Sequence, residues 1–451
     1  MKFNQELYDT VLKAAKSFEE SLDSRPVTPN QSAINALEYF DQPLSDDGTD
    51  ATSVIKMLND VGEPGVVSSR GGRYYGFVTG GALPVAVAAN WTAAVWDQNG
   101  GPSVMSPTAA KLEMVSGKWL LDLFGFDQNC GFGFVTGATM AGFTALSSAR
   151  LKIYQNLNYD LKADGIINAP KLRFVMSEEI HPTNIIALQY MGYGKNEFEF
   201  VKCDDQGRMI ASEMPALDDH TIVLAQAGNV NSGSFDPFDE ICTLAQTSGA
   251  WVHVDAAFGG WVLASKKRRH LAKGMERADS WSFDCHKWLN VPHDSAVAFC
   301  RDQKVMQDCF GVSAAYLVQG EMREGYNFTP ELSRRARGIE IWAALKFLGK
   351  EGLADLIDRT SDYAQGFANE LKAMGFEILN DVVINQIVVT LKEQEKIKPI
   401  IEHVQKSGKT WFGPTLWKGR EGFRISISSH VTSDKDIEIA VKAIKEAKDA
   451  L

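Results

Sequence analysis

No Cys-x-x-Cys pair and no zinc-type spacing of cysteine with histidine occurs in this chain; its six cysteines, Cys130, Cys203, Cys242, Cys285, Cys300 and Cys309, are scattered. That pattern suggests neither a disulfide framework nor a metal site, so free thiols in a reducing cytoplasm are expected. Also missing is any apolar run long enough to span a bilayer. Met1-Lys2-Phe3-Asn4-Gln5-Glu6-Leu7 reads as the opening of an amphipathic helix rather than a signal sequence, and a cytoplasmic protein without a membrane partner is expected. Positive charge is in deficit: 46 Lys and Arg against 57 Asp and Glu leave a net charge of −11. Sequence-independent binding to nucleic acid needs a basic surface, so no nucleic-acid partner is expected. The one basic run, Lys266-Lys267-Arg268-Arg269, reads as a solvated helix end. Internal repeats and low-complexity segments are absent as well.

What remains is ordinary globular material, 45% hydrophobic and 23% charged over 451 residues, which is more than one average domain. Residues 1–60 read as a helical arm: two amphipathic helices around the break Arg25-Pro26-Val27-Thr28-Pro29-Asn30, with the acidic stretch Leu44 to Asp50 supplying the cap of the second. Such an arm has little core of its own and is expected to pack on a second subunit. Residues 61–350 alternate short apolar strands with helical segments. The strand candidates are Gly133–Thr136, Arg173–Met176, Thr221–Leu224, Trp251–Val254 and Ala296–Phe299. Tens of residues separate them, which predicts a largely parallel sheet covered on both faces. Residues 351–451 read as a smaller α+β domain, with strands at Gly375–Leu379, Gln386–Thr390 and Arg424–Ser428 and a closing helix rich in Lys and Glu.

The most chemically suggestive window is Trp281-Ser282-Phe283-Asp284-Cys285-His286-Lys287-Trp288-Leu289-Asn290. A lysine in an apolar, aromatic setting is costly to keep charged, and a neutral amine attacks aldehydes. Upstream, Asp255 closes the apolar run Trp251-Val252-His253-Val254 and precedes Ala256-Ala257-Phe258-Gly259-Gly260. An acid at a strand end followed one crossover later by a lysine is the pairing that pyridoxal phosphate requires: an amine for its aldehyde and a carboxylate for its pyridinium nitrogen. Phe134 to Leu146 runs strand, small polar turn, helix. Gly137, Ala138 and Thr139 there suit a phosphate set on a helix N-terminus, and His286 can donate to the same group. His181, in Ser177-Glu178-Glu179-Ile180-His181-Pro182, belongs at the same sheet edge, where an imidazole can stack on a flat ring and relay protons. Asn229 follows another strand and can bond ring substituents or substrate; turn chemistry accounts for it nearly as well.

In this order, the glycine-containing turn, loop histidine, HVDAAFGG acid and SFDCHKWLN lysine resemble the group II pyridoxal-phosphate-dependent decarboxylases, which include the aromatic-L-amino-acid and glutamate decarboxylases. The resemblance covers residues 60–350 and extends to Trp411-Phe412-Gly413-Pro414-Thr415 and Phe423–Ser428. It implies fold type I of the pyridoxal-phosphate-dependent transferases: a large, mainly parallel sheet of the seven-stranded type with helices on both faces, plus a small C-terminal α+β domain. It also implies a homodimer with shared active sites. Carried over by position, Lys287 would bind the cofactor covalently, Asp255 would pair with the ring nitrogen, His181 and Ala257 would lie against the two ring faces, and Gly137, Ala138, Thr139 and His286 would hold the phosphate. Tyr316, in Val312-Ser313-Ala314-Ala315-Tyr316-Leu317, matches the loop tyrosine that returns a proton to Cα after CO2 leaves. Two positions depart from the pattern: Gly142 and Asp284 stand where asparagine is common. A carboxylate beside a phosphate is unfavourable unless it faces away or pairs with arginine.

The implied activity is α-decarboxylation of an L-amino acid to an amine. Tyr75, Phe77, Val78 and Trp91 suggest an apolar pocket for an aromatic or medium-sized side chain; the resemblance implies that the Gly101–Pro107 stretch is contributed by the neighbouring subunit. The alternatives are an acidic substrate, with Arg73 as the candidate partner of its carboxylate, an aminotransferase or lyase on the same fold, and a catalytically silent homologue. Retention of Lys287, Asp255, His181 and Tyr316 together argues against the last.

Overall fold

The computed structural model describes residues 4–312 and 322–451; Tyr316 lies outside them. The chain opens with α1 (Gln5–Ser21), α2 (Gln31–Ala36) and α3 (Ala51–Met57), each begun by a side chain that accepts a backbone N–H: Asn4, Asn30 and Asp50. The arm therefore holds three helices where two are expected, and the acidic stretch caps the third. Neither α1 nor α2 contributes a buried residue.

Next come α4 (Pro84–Trp96), α5 (Pro107–Phe124), β1 (Gly131–Val135), α6 (Ala138–Asn156), α7 (Leu161–Asp164), β2 (Arg173–Ser177), α8 (Pro182–Tyr190), β3 (Phe198–Val201), β4 (Thr221–Gln226), α9 (Phe238–Ser248), β5 (Trp251–Asp255), β6 (Ser280–Asp284), β7 (Ala296–Cys300) and α10 (Gln303–Phe310). The seven strands form one sheet in the order β1-β7-β6-β5-β4-β2-β3. Pairing is parallel from β6 through β3, and β7 runs antiparallel to both its neighbours. The mainly parallel expectation holds, and β3 and β6 add to the strands read from the sequence. β4 and β5 are buried along their whole length, as strands covered on both faces must be.

The remainder is α11 (Gly338–Ala373), whose two helical stretches meet at Gly349 (φ 60°), then β8 (Glu377–Ile378), β9 (Gln386–Thr390), α12 (Ile397–Ser407), β10 (Gly413–Trp417), β11 (Arg420–Ser426) and α13 (Asp434–Asp449). A four-stranded antiparallel sheet, β10-β11-β9-β8, packs its own apolar core, which includes Phe367, Ile387, Phe412, Phe423 and Ile444.

Residues 73–75 are woven into this second sheet. The Tyr75 amide donates to the Trp411 carbonyl at 2.8 Å, and the Ser426 amide donates to the Tyr75 carbonyl at 3.0 Å. The Tyr75 ring is consequently in the small core, 1% exposed and edge-on to Phe367, which corrects its assignment to a substrate pocket. Arg73 is likewise structural. Its guanidinium donates to the carbonyls of Asp23, Arg25 and Lys409 and lies 3.7 Å from Asp436, so it has no freedom to meet a substrate.

Asn290 joins the two sheets. Fully buried and in the left-handed region at φ 57°, it accepts the Gly81 and His430 amides on Oδ1 and donates from Nδ2 to the carbonyls of Trp288 and Ser428. The Gly80 strap presses so closely on the Lys287 turn that a Cβ at residue 80 would fall 1.8 Å from the Lys287 carbonyl oxygen. Gly80→Ala is therefore expected to lower unfolding free energy by about 1–3 kcal/mol, the usual cost of overpacking, measured by urea denaturation. A variant as stable as the parent would contradict that close approach.

Candidate active site

Because β1, β2, β4, β5 and β6 run the same way, their carboxyl ends share one edge, where ligands of open α/β sheets bind. The turns leaving those strands enclose a cavity of about 310 Å³, at the lower end of the range for small-molecule sites. Asp255 ends β5, 8% exposed. Its Oδ2 accepts the Asn184 side-chain amide at 2.7 Å and its Oδ1 accepts the Ala257 amide at 3.1 Å, so the carboxylate is held in one orientation. Asn184 is a site residue that sequence reasoning missed. It sits three residues after His181 on α8, and that helical spacing was the available signal.

His181 caps α8, with Nδ1 2.7 Å from the Thr183 hydroxyl and its backbone amide bonded to Gln226 Oε1 at 3.0 Å. Burial pushes its pKa below the usual value, so the imidazole is neutral near pH 7. Ala257 also lines the cavity.

On the opposite side stands the N-terminus of α6. The first amides of a helix have no partner within it; Gly137 offers no side-chain cap, and the Ala138 amide is taken by the Asp284 carboxylate. A Cβ on Gly137 would project to 3.6 Å from the His286 ring and 3.8 Å from Asp284 Oδ1. The space into which it would point is thus edged by helix amides, Thr139 and His286. His286 accepts the Ser295 amide on Nδ1 at 3.1 Å, which leaves its proton on Nε2, toward Asp284 Oδ1 at 3.6 Å. Burial depresses its pKa to about 4. Gly142, by contrast, faces Ala187 of α8, so the missing asparagine at that position does not bear on the cavity.

Lys287 differs from the expectation of a lysine in purely apolar surroundings: its Nζ is 2.9 Å from Asp284 Oδ2. Asp284 neither faces away nor pairs with arginine; its Oδ1 accepts the Ala138 amide at 2.6 Å. Phe77 and Val78 line the cavity as expected, both in the left-handed region at φ 54° and 57°. For a β-branched valine this is a strained conformation of the kind that gathers at functional sites. Phe77 stacks on Trp411 with centroids 5.4 Å apart.

Two expectations fail here. Asn229 turns away from the cavity: its Oδ1 accepts the Asn231 and Ser232 amides, the turn role that was the alternative. Trp91 lies exposed on α4 and is not among the cavity residues. The arginine that lines the cavity is Arg424, from β11, rather than Arg73. Arg424 donates to the Val230 carbonyl at 2.8 Å, and is depressed to about 10 by burial. The sequence offered no spacing that links it to residues so far upstream.

A buried strand-end carboxylate, a lysine, a loop histidine and a helix N-terminus around one cavity fit pyridoxal phosphate group by group. With the seven-stranded sheet, they define a fold type I enzyme that uses this cofactor. The model of the pyridoxal-dependent decarboxylase conserved domain matches residues 34–392, and the chain belongs to that family; it is a pyridoxal-phosphate-dependent carboxy-lyase. The acidic amino acid decarboxylase GADL1 of Xenopus tropicalis is 27% identical over 393 residues, covering 84% of this chain and 76% of that protein. Among solved structures, Oryza sativa TDC with PLP and tryptamine superposes with a TM-score of 0.91 at 20% identity, covering 100% of this chain and 99% of that one. Mouse CSAD in apo form gives 0.89 at 22% identity, covering 98% and 97%.

The depressed His286 pKa has a stability consequence. Between its folded value of about 4 and its ordinary 6.5, the unfolded chain binds the additional proton, so stability falls as pH drops through that window. His286 alone accounts for a loss of about 2 kcal/mol between pH 7 and pH 5. Urea denaturation of His286→Gln should show a correspondingly smaller drop over that interval, and a drop equal to wild type would remove His286 as its source.

Proposed function

We propose that the chain removes the α-carboxylate of an acidic L-amino acid as CO2, using Lys287, Asp255, His181 and Tyr316, and that Arg424 holds a substrate carboxylate. Arg424 carries the reading: a buried guanidinium at the cavity wall, whose hydrogen bond among the described residues is to one backbone carbonyl, retains donors for bidentate pairing with a carboxylate. The activity named for the GADL1 relative supports the same choice. A second reading, an aromatic or medium-sized substrate, draws on Phe77, Val78 and the Phe77–Trp411 stack.

Bound pyridoxal phosphate supplies a protonated ring that accepts the electron pair left at Cα when CO2 departs. Asp255 holds the proton on the ring nitrogen. A shielded carboxylate raises such a pKa by about 1–3 units, each unit worth about 1.4 kcal/mol. Lys287 would hold the cofactor covalently through its aldehyde carbon, with water as the leaving group. His181 and Ala257 would lie against the two ring faces, while Gly137, Ala138, Thr139 and His286 would hold the phosphate. Tyr316 donates the proton to Cα: an unperturbed phenol, with pKa near 10, is protonated at neutral pH.

The working unit in this reading is a homodimer. Trp91, Val95 and Trp96 on α4, together with Val104 and Met105, expose an apolar surface, and the coreless arm also calls for a second copy to cover it. Division into an arm (1–60), a large domain (61–350) and a small domain (351–451) is retained, supported by the separate cores of the two sheets. A cytoplasmic location is supported by six free cysteines; among the described residues no helix is long and apolar enough to cross a membrane.

A decarboxylation screen over the proteinogenic amino acids, detecting CO2 and amine, should single out aspartate or glutamate. Arg424→Gln should then raise KM for that substrate at least about tenfold, as loss of a buried ionic partner does. Turnover of aromatic amino acids that is insensitive to Arg424→Gln would instead favour the second reading. Asp255→Ala is expected to retain the bound cofactor and lose at least about a hundredfold in kcat; near-normal turnover would assign the ring proton to another group. Sedimentation should give twice the 49.6 kDa chain mass, and an active monomer would reject the dimer.

A further inference from the structure

We infer that Asp284 makes the phosphate site selective for a singly charged, protonated phosphate, which it binds by sharing that group's proton. This rests on the reading of the α6 N-terminus as the phosphate site. Asp284 is 2% exposed; its carboxylate is held by the Ala138 amide and Lys287 Nζ, and its backbone is tied at both ends. Its amide donates to the Ala257 carbonyl at 2.9 Å, and its own carbonyl accepts the Trp261 indole N–H at 2.9 Å. The carboxylate meets the Ala138 amide at 2.6 Å, so it already uses one of the donors a phosphate would take. A phosphate set on the remaining first-turn amides of α6 stands within hydrogen-bonding reach of a fixed anion.

Charge bookkeeping decides what that phosphate is. The groups that face Asp284 are Lys287 at 2.9 Å, His286 at 3.6 Å, and the more distant His181, His293 and neighbouring Cys285. The three histidines are all driven toward the neutral form by burial, and a buried thiol is neutral. Lys287 is the cation of this set, and its nitrogen is committed to the cofactor's aldehyde carbon. The other cation lining the cavity, Arg424, reaches in from β11 and bonds Val230. Among the described residues, what remains for the phosphate is the partial positive charge of one helix end, about half a unit, against the negative charge of Asp284. A phosphomonoester has a second pKa of about 6 in water, and a like charge at hydrogen-bond distance raises it. Keeping the proton turns a repulsive anion pair into a P–OH donor on a carboxylate acceptor, a strong charge-assisted hydrogen bond. An asparagine at this position would donate to a dianion instead, so the Asn-to-Asp departure changes which ionisation state is held.

The test reads phosphorus rather than turnover. In the holoenzyme, the 31P resonance of the bound cofactor should report a monoanion at pH 7.5, and Asp284→Asn should convert it to the dianion. A dianion in wild type at that pH overturns the inference. A second arm uses the full-length chain freed of cofactor and titrated at pH 6.5 with inorganic phosphate or with sulfate, which has no proton to share. Wild type should prefer phosphate by at least tenfold, and Asp284→Asn should lose that preference; equal affinities in wild type would also overturn it. Failure of the underlying site reading is distinguishable, because the protein would then acquire no near-visible absorbance from cofactor linked to Lys287.

Discussion

Parallel pairing is the constraint on which everything else depends. Once β6, β5, β4 and β2 run side by side in one direction, and β7 returns β1 to that direction, the residues that end those strands share one edge. Asp255, His181, Gly137 and Lys287 are far apart in sequence and have no local reason to meet. Each lies just past or at a strand end, and the sheet assembles them. The turn chemistry then sets orientation: Asn184 aims Asp255, Thr183 sets His181, and Ser295 fixes the tautomer of His286.

The second sheet closes the site rather than merely flanking it. Asn290 bonds the Gly81 strap, the Lys287 turn and the Ser428–His430 segment at once, so the turn that carries the lysine is braced against the small core. Arg424 enters the cavity from that same sheet. The cavity therefore has a large-sheet wall that suits the cofactor and a small-sheet wall that carries the Arg424 guanidinium. Between them the two walls carry two carboxylates, Asp255 and Asp284, two basic residues, Lys287 and Arg424, and the histidines His181 and His286, which burial drives toward the neutral form.

Motif and strand-end logic made the cofactor side readable from sequence, since Lys287, Asp255, His181 and the Gly137 turn each follow an apolar run. β6 hides in its own motif, because the alternation Ser280-Trp281-Ser282-Phe283-Asp284 belongs to both the strand and the lysine window. Tyr75 and Arg73 resist such reading. An aromatic residue and an arginine next to pocket residues look like pocket residues, and only the long-range pairing with Trp411 and Ser426 turns them inward. Arg424 is the converse case, a residue whose place in the cavity arises from a contact between two sheets and leaves no local trace. The same holds for the partners of Asp284: the carboxylate was visible as a departure, but its engagement of Ala138 and Lys287 was not.

The central claim is that Lys287 is the lysine joined to pyridoxal phosphate at this sheet edge, and its most direct test is chemical. Holoenzyme reduced with borohydride and digested should yield one phosphopyridoxyl-labelled peptide, with the label on Lys287, and Lys287→Ala should abolish that label. Label on any other lysine, or undiminished labelling of the Lys287→Ala protein, would contradict the account.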